Sequence, residues 1–213
     1  MWPDATTTAE LVNLAASGES GAADQLLERH REALRRMIDL RMDPVLKRRV
    51  DASDVVQDTL LDAHRRLADY LRSPQLPFHL WLRQVAQDRL IDAHRRHRGA
   101  ARRSIDREQP NLAPAAGSRS ALDLLGLVPD DQLTPAAAAT QHELVEKFQA
   151  AVGQLDDIDR DIILMRHAEQ LTNQEAAQAL GLSEPAAGMR YLRAIRRLRA
   201  MLDLPPSSAS DVG

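Results

Sequence analysis

The chain has 213 residues, a net charge of −3 and no cysteine, which excludes a disulfide framework and any zinc site built on cysteine and is compatible with a reducing cytosol. No apolar run approaches the length of a membrane span, and the opening residues lack the basic and apolar regions of a signal peptide. Only 3% of residues are aromatic, and Ala, Leu and Arg are abundant. We therefore expect an all-α, cytoplasmic protein of one or two domains without membrane insertion.

The charges are segregated along the chain. Residues 83–103 contain seven arginines and two aspartates, whereas residues 104–161 contain eleven acidic and four basic side chains. The distribution of charge, more than its total, decides how a protein is steered to DNA. The negative net charge therefore does not exclude a nucleic-acid partner.

Two helices are predicted at the start of the chain. Thr8 is expected to cap a short helix that ends near Gly18. A longer helix is predicted from about Ala22 to Met42, before Asp43-Pro44 interrupts it. Its apolar side has helical spacing and consists of Leu27, His30, Leu34, Met37 and Ile38.

A third helix, capped by Asp51 or Ser53, is predicted to run to about Leu71. Acidic residues cluster at 51–62, where they favour the helix dipole. One side of this helix lies away from its apolar stripe and mixes acids with a leucine, which is typical of a protein-docking surface. That side consists of Asp54, Asp58, Leu61 and Arg65. The acids spread around the helix, so we predict no metal site there.

A loop with two prolines, residues 72–77, precedes a fourth helix predicted from Phe78 to about Arg98. Its apolar arc contains Phe78, Trp81, Leu82, Val85, Ala86 and Leu90. The opposite arc contains Arg83, Gln87, His94 and Arg98, with Arg95 close by. Arginine and glutamine at this spacing are suited to phosphates and base edges. A solvated basic face is the alternative interpretation.

Residues 104–139 are rich in Pro, Ala, Gly and Ser and lack a sustained period, so we predict a flexible, acidic linker. Its apolar stretch at 121–128 is suited to docking on a partner. The predicted organisation is an N-terminal domain at 1–103, the linker, a C-terminal domain at 140–204 and a disordered tail at 205–213.

The C-terminal domain is predicted to contain helices at about 142–152 and 156–168, followed by a helix-turn-helix. Thr172 and Glu175 have the spacing of a capping box, and Gly181 fits the left-handed position after a helix end. Ser183 is a good N-cap, with Pro185 in the first turn of the helix that follows. Two capped helices joined by a short glycine turn are typical of DNA-binding proteins.

The second helix of this motif has two faces. A narrow stripe should pack on the first helix and contains Ala187, Tyr191, Ile195, Leu198 and Leu202. Between Pro185 and Leu202 there are five arginines and no carboxylate, which indicates a surface that faces phosphates. The alternative is an ordinary surface helix in a helical hairpin.

The sequence gives little support for catalysis. Its seven histidines are scattered, and the sequence contains no HExxH pattern, glycine-rich phosphate loop or nucleophile elbow. We therefore do not expect an enzyme, and no metal or cofactor is predicted.

Three motifs together carry a family resemblance. DASDVVQDTLLDAHRRL at 51–67, FHLWLRQVAQDRLIDAHRRHR at 78–98 and the Gly181-Leu182-Ser183 turn occur in this order. The chain thereby resembles the extracytoplasmic-function class of bacterial sigma factors. The resemblance implies an initiation factor whose first domain binds the clamp helices of core RNA polymerase and melts the promoter −10 element. Its second domain would read the −35 element as duplex DNA. The linker would thread the polymerase, and an anti-sigma factor is a further candidate partner.

The resemblance also assigns residues to these roles. The polymerase-docking motif corresponds to Asp51, Asp54, Gln57, Asp58 and Leu61. Contact with the −10 element is assigned to the loop from Ser73 to Phe78, which would capture a flipped base. It is also assigned to residues of the fourth helix: Arg83, Gln87, His94, Arg95 and Arg98. Contact with the −35 element is assigned by the resemblance to Ser183, Glu184, Ala187, Arg190 and Arg193, and the helix-turn-helix pattern adds Thr172 and Arg197. Among these, Arg190 is expected to contact bases and Arg197 to contact phosphate.

The recognition helix departs from the family pattern. Residues 185–189, Pro-Ala-Ala-Gly-Met, replace a commoner threonine-valine-lysine-serine type of sequence, and Gly188 costs about 1 kcal/mol of helix propensity relative to alanine. The preferred promoter sequence is therefore left open. Two other classes also stay open. One is a helix-turn-helix regulator that does not form holoenzyme, which should dimerise and contain a ligand pocket. The other is a helical scaffold or anti-sigma-type protein.

Overall fold

The computed structural model describes residues 1–42, 44–101, 143, 147–148 and 150–202, with backbone only at 44 and 97–101. The chain divides into two compact units, Met1–Ala113 and Pro114–Gly213. The described residues form helices, turns and loops without a strand, as predicted. None of the helices in this part of the chain combines the length and apolar character that a membrane crossing requires. The predicted linker and tail lie outside the described residues.

The N-terminal unit is built on three long helices that pack against one another. Its helices are α1 (Ala5–Ala16), α2 (Ala22–Arg41), α3 (Pro44–Lys47), α4 (Ala52–Arg72) and α5 (Phe78–Ala101). The core lies between α2, α4 and α5, while α1 packs on α2 and α4, and α3 contacts α5. The predicted apolar side of α2 is buried throughout, which confirms that helix and its orientation.

Aspartates, rather than later hydroxyl residues, start two of these helices. The Asp4 carboxylate accepts a hydrogen bond from the Thr7 amide at 2.9 Å and caps α1. Thr8 is instead inside the helix, and its hydroxyl donates to the Asp4 carbonyl at 2.7 Å. The prediction that Thr8 caps this helix was therefore wrong, because an acceptor one turn earlier does so. At α4 the Asp51 carboxylate accepts from the Ser53 amide at 2.7 Å, which identifies Asp51 as the cap.

A buried histidine lies in the core of this unit. His30 is fully buried, and its Nδ1 lies 2.8 Å from the Leu26 carbonyl, which Nδ1–H can reach as a donor. Its ring packs edge-on against Phe78, with centroids 4.9 Å apart, and lies 6.2 Å from the ring of Trp2. Burial lowers the pKa of His30 to about 4, so the ring is neutral at neutral pH.

We expect the N-terminal unit to lose about 2 kcal/mol of stability between pH 7 and pH 5 through His30. The unfolded chain binds a proton near pH 6.5 whereas the folded chain does not until about pH 4, so protons favour unfolding in this window. Trp2 and Trp81, the two tryptophans of the chain, both lie in this unit and report its unfolding by fluorescence. A His30→Leu variant should lose most of this pH dependence, and an unchanged slope would contradict the assignment.

The C-terminal unit is a small helical bundle. Helical backbone at 150–153 precedes α6 (Asp157–Ile163), a π-helical segment (Leu164–Ala168), α7 (Asn173–Leu180) and α8 (Glu184–Met201). Helix α8 packs on both α6 and α7. The predicted helix at 156–168 is confirmed in position, although its last five residues are π-helical. The predicted helix at 142–152 is helical wherever it is described.

Candidate nucleic-acid and protein interfaces

The helix-turn-helix forms as the sequence predicts. The Thr172 hydroxyl accepts from the Glu175 amide at 3.2 Å, and the Glu175 carboxylate accepts from the Thr172 amide at 2.8 Å, which completes the capping box. Gly181 has a φ of 64° in the turn, a conformation that favours glycine. Ser183 caps α8 by accepting from the Ala186 amide at 3.4 Å. Local capping thus fixes where α8 begins.

A side-chain bond also joins the two helices of the motif. The Asn173 amide group donates to the Glu184 carbonyl at 3.0 Å, so the start of α7 holds the start of α8. Behind this bond, Ala187 and Ala194 are fully buried and Leu198 is 3% exposed. The inner face of α8 is therefore made of small and aliphatic side chains that pack on α6 and α7.

The burial of Ala187 corrects one predicted DNA contact. At 0% exposure its methyl group belongs to the packing within the unit, so it presents no surface to DNA. The outer face of α8 is a different set of residues, all exposed: Pro185, Ala186, Met189, Arg193, Arg196 and Arg197. Thr172, Ser183 and Glu184 are also exposed, at the ends of the two helices.

Arg190 is held inside its own unit. Its guanidinium donates to the Asp159 carboxylate at 2.9 Å and to the Asp156 carboxylate at 3.3 Å. Asp156 caps α6, and the hydrogen bond from the Asp159 amide lowers its pKa, so this carboxylate is ionised. The pairs connect α8 to the start of α6. Arg190 therefore has a structural role, because its Nη1 donates to both of these acids, and its predicted base contact stays a prediction.

Arg190→Ala is expected to destabilise the C-terminal unit by about 1–3 kcal/mol, because Asp159 is largely buried and would lose its charged partner. Arg190→Ala combined with Asp159→Asn should cost less than the sum of the two single changes. Tyrosine fluorescence or calorimetry of the full chain measures this effect. Arg193→Ala, an exposed change on the same helix, is the control and should leave melting unchanged. Equal melting temperatures for both variants would contradict this role.

The predicted docking face of α4 is presented at the surface. Asp51, Asp54, Gln57 and Asp58 are exposed, and Leu61, an aliphatic side chain among these acids, is 52% exposed. Val55, Val56 and Leu60 of the same helix are buried in the core. The structure thus places all five predicted polymerase-binding residues at accessible positions of α4 and its N-cap.

A groove of mixed charge borders this face, between α4 and α5. The Arg96 guanidinium lies 3.9 Å from the Asp58 carboxylate, and the Arg89 guanidinium lies 3.4 Å from that of Asp62. The groove is lined by Asp58, Leu61, Asp62, Arg65, Arg89, Asp92, Arg95 and Arg96. Within the described ranges, no three His, Asp or Glu side chains come together as a metal-binding group.

The loop between α4 and α5 rests on an aromatic cluster. Ser73, Pro74, Gln75 and Pro77 are exposed, and the Tyr70 hydroxyl donates to the Leu76 carbonyl at 3.1 Å. Below this loop the rings of Tyr70 and Trp81 stack at 4.7 Å between centroids. The Phe78 ring lies 5.6 Å from that of Tyr70 and 5.4 Å from that of Trp81.

Phe78 is therefore a core residue, not a surface one. It is 3% exposed, which corrects its predicted contact with the −10 element. The ring instead supports the loop from below, because its neighbours Tyr70 and His30 hold it on two sides. Phe78 was predicted both in the apolar arc of α5 and, from the resemblance, as a contact to DNA. Its burial supports the first prediction and not the second.

The opposite arc of α5 is only partly a surface. Arg83 is 3% exposed, which corrects its predicted DNA contact, while Gln87 and His94 are half-buried and Arg95 is exposed. The side chain of Arg98 lies outside the described residues. Helix α5 contacts α2, α3 and α4, so both of its flanks are covered, which a two-sided helical projection does not anticipate.

The exposed stripe of α5 differs from the predicted arc and includes Gln84, which was not predicted. It contains Gln84, Asp88, Ile91 and Arg95, at spacings of four, three and four residues. Asp88 lies 3.6 Å from the Arg66 guanidinium of α4. Gln84 precedes Arg95 by three turns on this stripe, and that spacing is the signal that could have identified it.

Two family models match this chain, one within each of its two compact units. The model of sigma-70 region 2 matches residues 26–100, and the model of sigma-70 region 4 matches residues 146–198. The ECF RNA polymerase sigma factor SigX of Bacillus subtilis (strain 168) is 35% identical over 77 residues, 36% of this chain. The matched segment spans 40% of that curated relative.

Two solved structures have a similar fold. The structure of CnrH in complex with the cytosolic domain of CnrY has a TM-score of 0.56 and 27% identity, covering 91% of this chain and 96% of that one. The sigma factor RpoE of Bartonella quintana, in complex with the anti-sigma factor NepR, has a TM-score of 0.56 and 19% identity. The likeness covers 87% of this chain and 99% of that one, and it concerns the fold alone. The chain belongs to the sigma-70 family of RNA polymerase sigma factors, in its extracytoplasmic-function class.

Proposed function

We propose that this chain binds core RNA polymerase and directs it to specific promoters, as a transcription initiation factor. The observation that carries the proposal is the presence of two surfaces in one chain. The first unit presents an exposed leucine among acids on α4, and the second presents an arginine-rich helix in a helix-turn-helix. A free-standing DNA-binding regulator needs only the second of these surfaces.

Polymerase docking is assigned to the exposed side of α4. Charged side chains at the rim of an interface guide association and select partners, while an apolar anchor supplies affinity once water is excluded. Leu61 is the anchor, and Asp54 and Asp58 surround it at helical spacing. The complete set is Asp51, Asp54, Gln57, Asp58 and Leu61.

The −10 element is assigned to the exposed loop Ser73–Pro77 and to the surface stripe of α5. Flipping a base out of the DNA stack costs a few kcal/mol of free energy. A rigid loop that receives the base helps to offset this cost. The Tyr70–Leu76 hydrogen bond and the aromatic rings beneath it supply that rigidity. The contacting residues proposed on α5 are Gln84, Gln87, His94, Arg95 and Arg98, with Arg83 and Phe78 as internal supports.

The −35 element is assigned to the helix-turn-helix. Arg193 and Arg197 are exposed on α8 and fit phosphate contacts, and Thr172, Ser183 and Glu184 lie at the helix ends that approach the groove. The proposed domain limits remain 1–103 and 140–204, with 104–139 as the linker. We place the chain in the cytoplasm together with the polymerase, which catalyses RNA synthesis, so the chain itself is not an enzyme. An anti-sigma factor is a further proposed partner.

Binding to core polymerase separates this proposal from the alternative of a regulator that does not form holoenzyme. The purified full chain should form a complex with core polymerase in size-exclusion chromatography without DNA, and promoter DNA should bind the complex much more tightly than it binds the free chain. A chain that ignores core polymerase, dimerises and binds its DNA site alone would refute the proposal and support the regulator.

A further inference from the structure

The outer face of the recognition helix begins with an apolar tip, formed by Pro185, Ala186 and Met189. All three residues are exposed, and Met189 is 59% exposed. Single exposed apolar residues are common, but this group lies at the N-terminal end of α8, the end that approaches base edges in helix-turn-helix proteins. Its position relative to DNA rests on the proposed function.

Arginines continue the same face. Arg193 and Arg196 are exposed and follow Met189 by one and two helical turns, so they flank it on the outer side of α8. No acidic residue occurs between Pro185 and Leu202. This combination of an apolar tip and positive flanks is complementary to a polyanion with apolar groups in its groove, and duplex DNA has both.

Three polar side chains at this end of the motif already make hydrogen bonds within the unit. Arg190 is paired with Asp156 and Asp159, and the Asn173 amide donates to the Glu184 carbonyl. The Ser183 hydroxyl accepts from the Ala186 amide as a helix cap. These bonds reduce the capacity of Arg190, Asn173 and Ser183 to contact base edges, while the Gln174 and Glu184 side chains beside them are exposed.

We infer that Ala186 and Met189 read the −35 element through thymine methyl groups, while Arg193 and Arg196 fix the register on phosphates. In the major groove the C5-methyl group of thymine is the feature that apolar side chains recognise. Met189 has the reach and flexibility to cover such a methyl group, and the short Ala186 side chain permits close approach of the helix.

Deoxyuridine tests this inference because it differs from thymine only by the absence of that methyl group. Holoenzyme is reconstituted from the full chain, and its preferred −35 sequence is selected from randomised duplexes. Each thymine is then replaced singly by deoxyuridine. At one or two positions the wild-type affinity should fall about fourfold, the effect expected for one buried methyl group. Met189→Ala holoenzyme should bind more weakly and lose the response at that position.

Two variants provide controls. Ile158→Ala removes another exposed apolar side chain of the same unit, from α6, and should keep the wild-type response to deoxyuridine. Arg193→Ala should lower affinity on all sequences and reduce the salt slope by about one, whereas Met189→Ala should leave the salt slope unchanged.

The outcomes separate this inference from the function on which it rests. A holoenzyme that selects a −35 sequence but tolerates deoxyuridine at every position overturns the inference alone. So does a Met189→Ala holoenzyme with the full wild-type loss, or one with unchanged DNA affinity, which would leave the tip as a protein contact. A chain that forms no holoenzyme overturns the proposed function and this inference together.

Discussion

Reversing the charge of Asp58 with Asp58→Arg is expected to weaken binding to core RNA polymerase at least about tenfold, because like charges placed together at an interface cost several kcal/mol. Asp58 is exposed and lies 3.9 Å from the Arg96 guanidinium, also on the surface. Exposed pairs of this kind contribute about 1 kcal/mol or less, so the melting temperature should stay near the wild-type value. Fluorescence titration of labelled chain with core polymerase measures the affinity.

A matched control distinguishes a local contact from a general charge effect. Glu10 is an exposed acid on α1, outside the α4 face, so Glu10→Arg changes the net charge equally. It should keep the wild-type affinity. Leu61→Ala, which removes the apolar anchor without changing charge, should weaken binding with little change in stability. Wild-type affinity in Asp58→Arg would remove α4 from the docking surface.

Shortening Phe78 with Phe78→Ala is expected to lower the stability of the N-terminal unit by about 3–5 kcal/mol, as for other large-to-small changes in a core. Phe78 is 3% exposed and contacts His30, Tyr70 and Trp81, so the change would leave a cavity under the loop. Urea unfolding followed by tryptophan fluorescence measures the loss, because both tryptophans lie in this unit.

The conservative variant separates support of the loop from direct contact with DNA. Phe78→Leu keeps most of the apolar volume, so it should fold and retain much of the strand-opening activity seen by permanganate footprinting. If Phe78 instead stacked on a flipped base, Phe78→Leu would be well folded but strongly defective in opening. If the Phe78→Leu holoenzyme is defective on duplex promoter but forms a normal open complex on a pre-melted promoter, Phe78 does not contact the melted strand.

Local signals in the sequence predicted the ends of the two helix-turn-helix helices correctly, although Thr8 was wrongly predicted to cap α1. The capping box at Thr172, the left-handed Gly181 and the Ser183 cap all depend on residues within one turn, and each forms as predicted. The exposed side of α4 was also predictable, because Asp54, Asp58 and Leu61 lie at helical spacing on a side away from the apolar stripe. Such features follow from spacing and need no knowledge of the tertiary structure.

Contacts between distant helices were not predictable in the same way. Arg190 appears free on a helical projection of α8, but α6 supplies Asp156 and Asp159 from more than thirty residues earlier in the chain. Arg83 appears exposed until α5 is packed on three other helices. The sequence alone therefore does not show which charged side chains of a helix are paired within the protein and which are available to contact DNA. The three-dimensional structure is needed to distinguish them.

In vitro transcription with purified components shows whether the chain directs core polymerase to promoters. Core polymerase is incubated with fragments of the host genome, alone or with the full chain, and transcript 5′ ends are sequenced. If the chain is an initiation factor, it should concentrate transcript starts at discrete sites that share two upstream motifs at a fixed spacing, and Asp58→Arg should greatly reduce this effect. A distribution of starts that is the same with the chain as with core polymerase alone would contradict it.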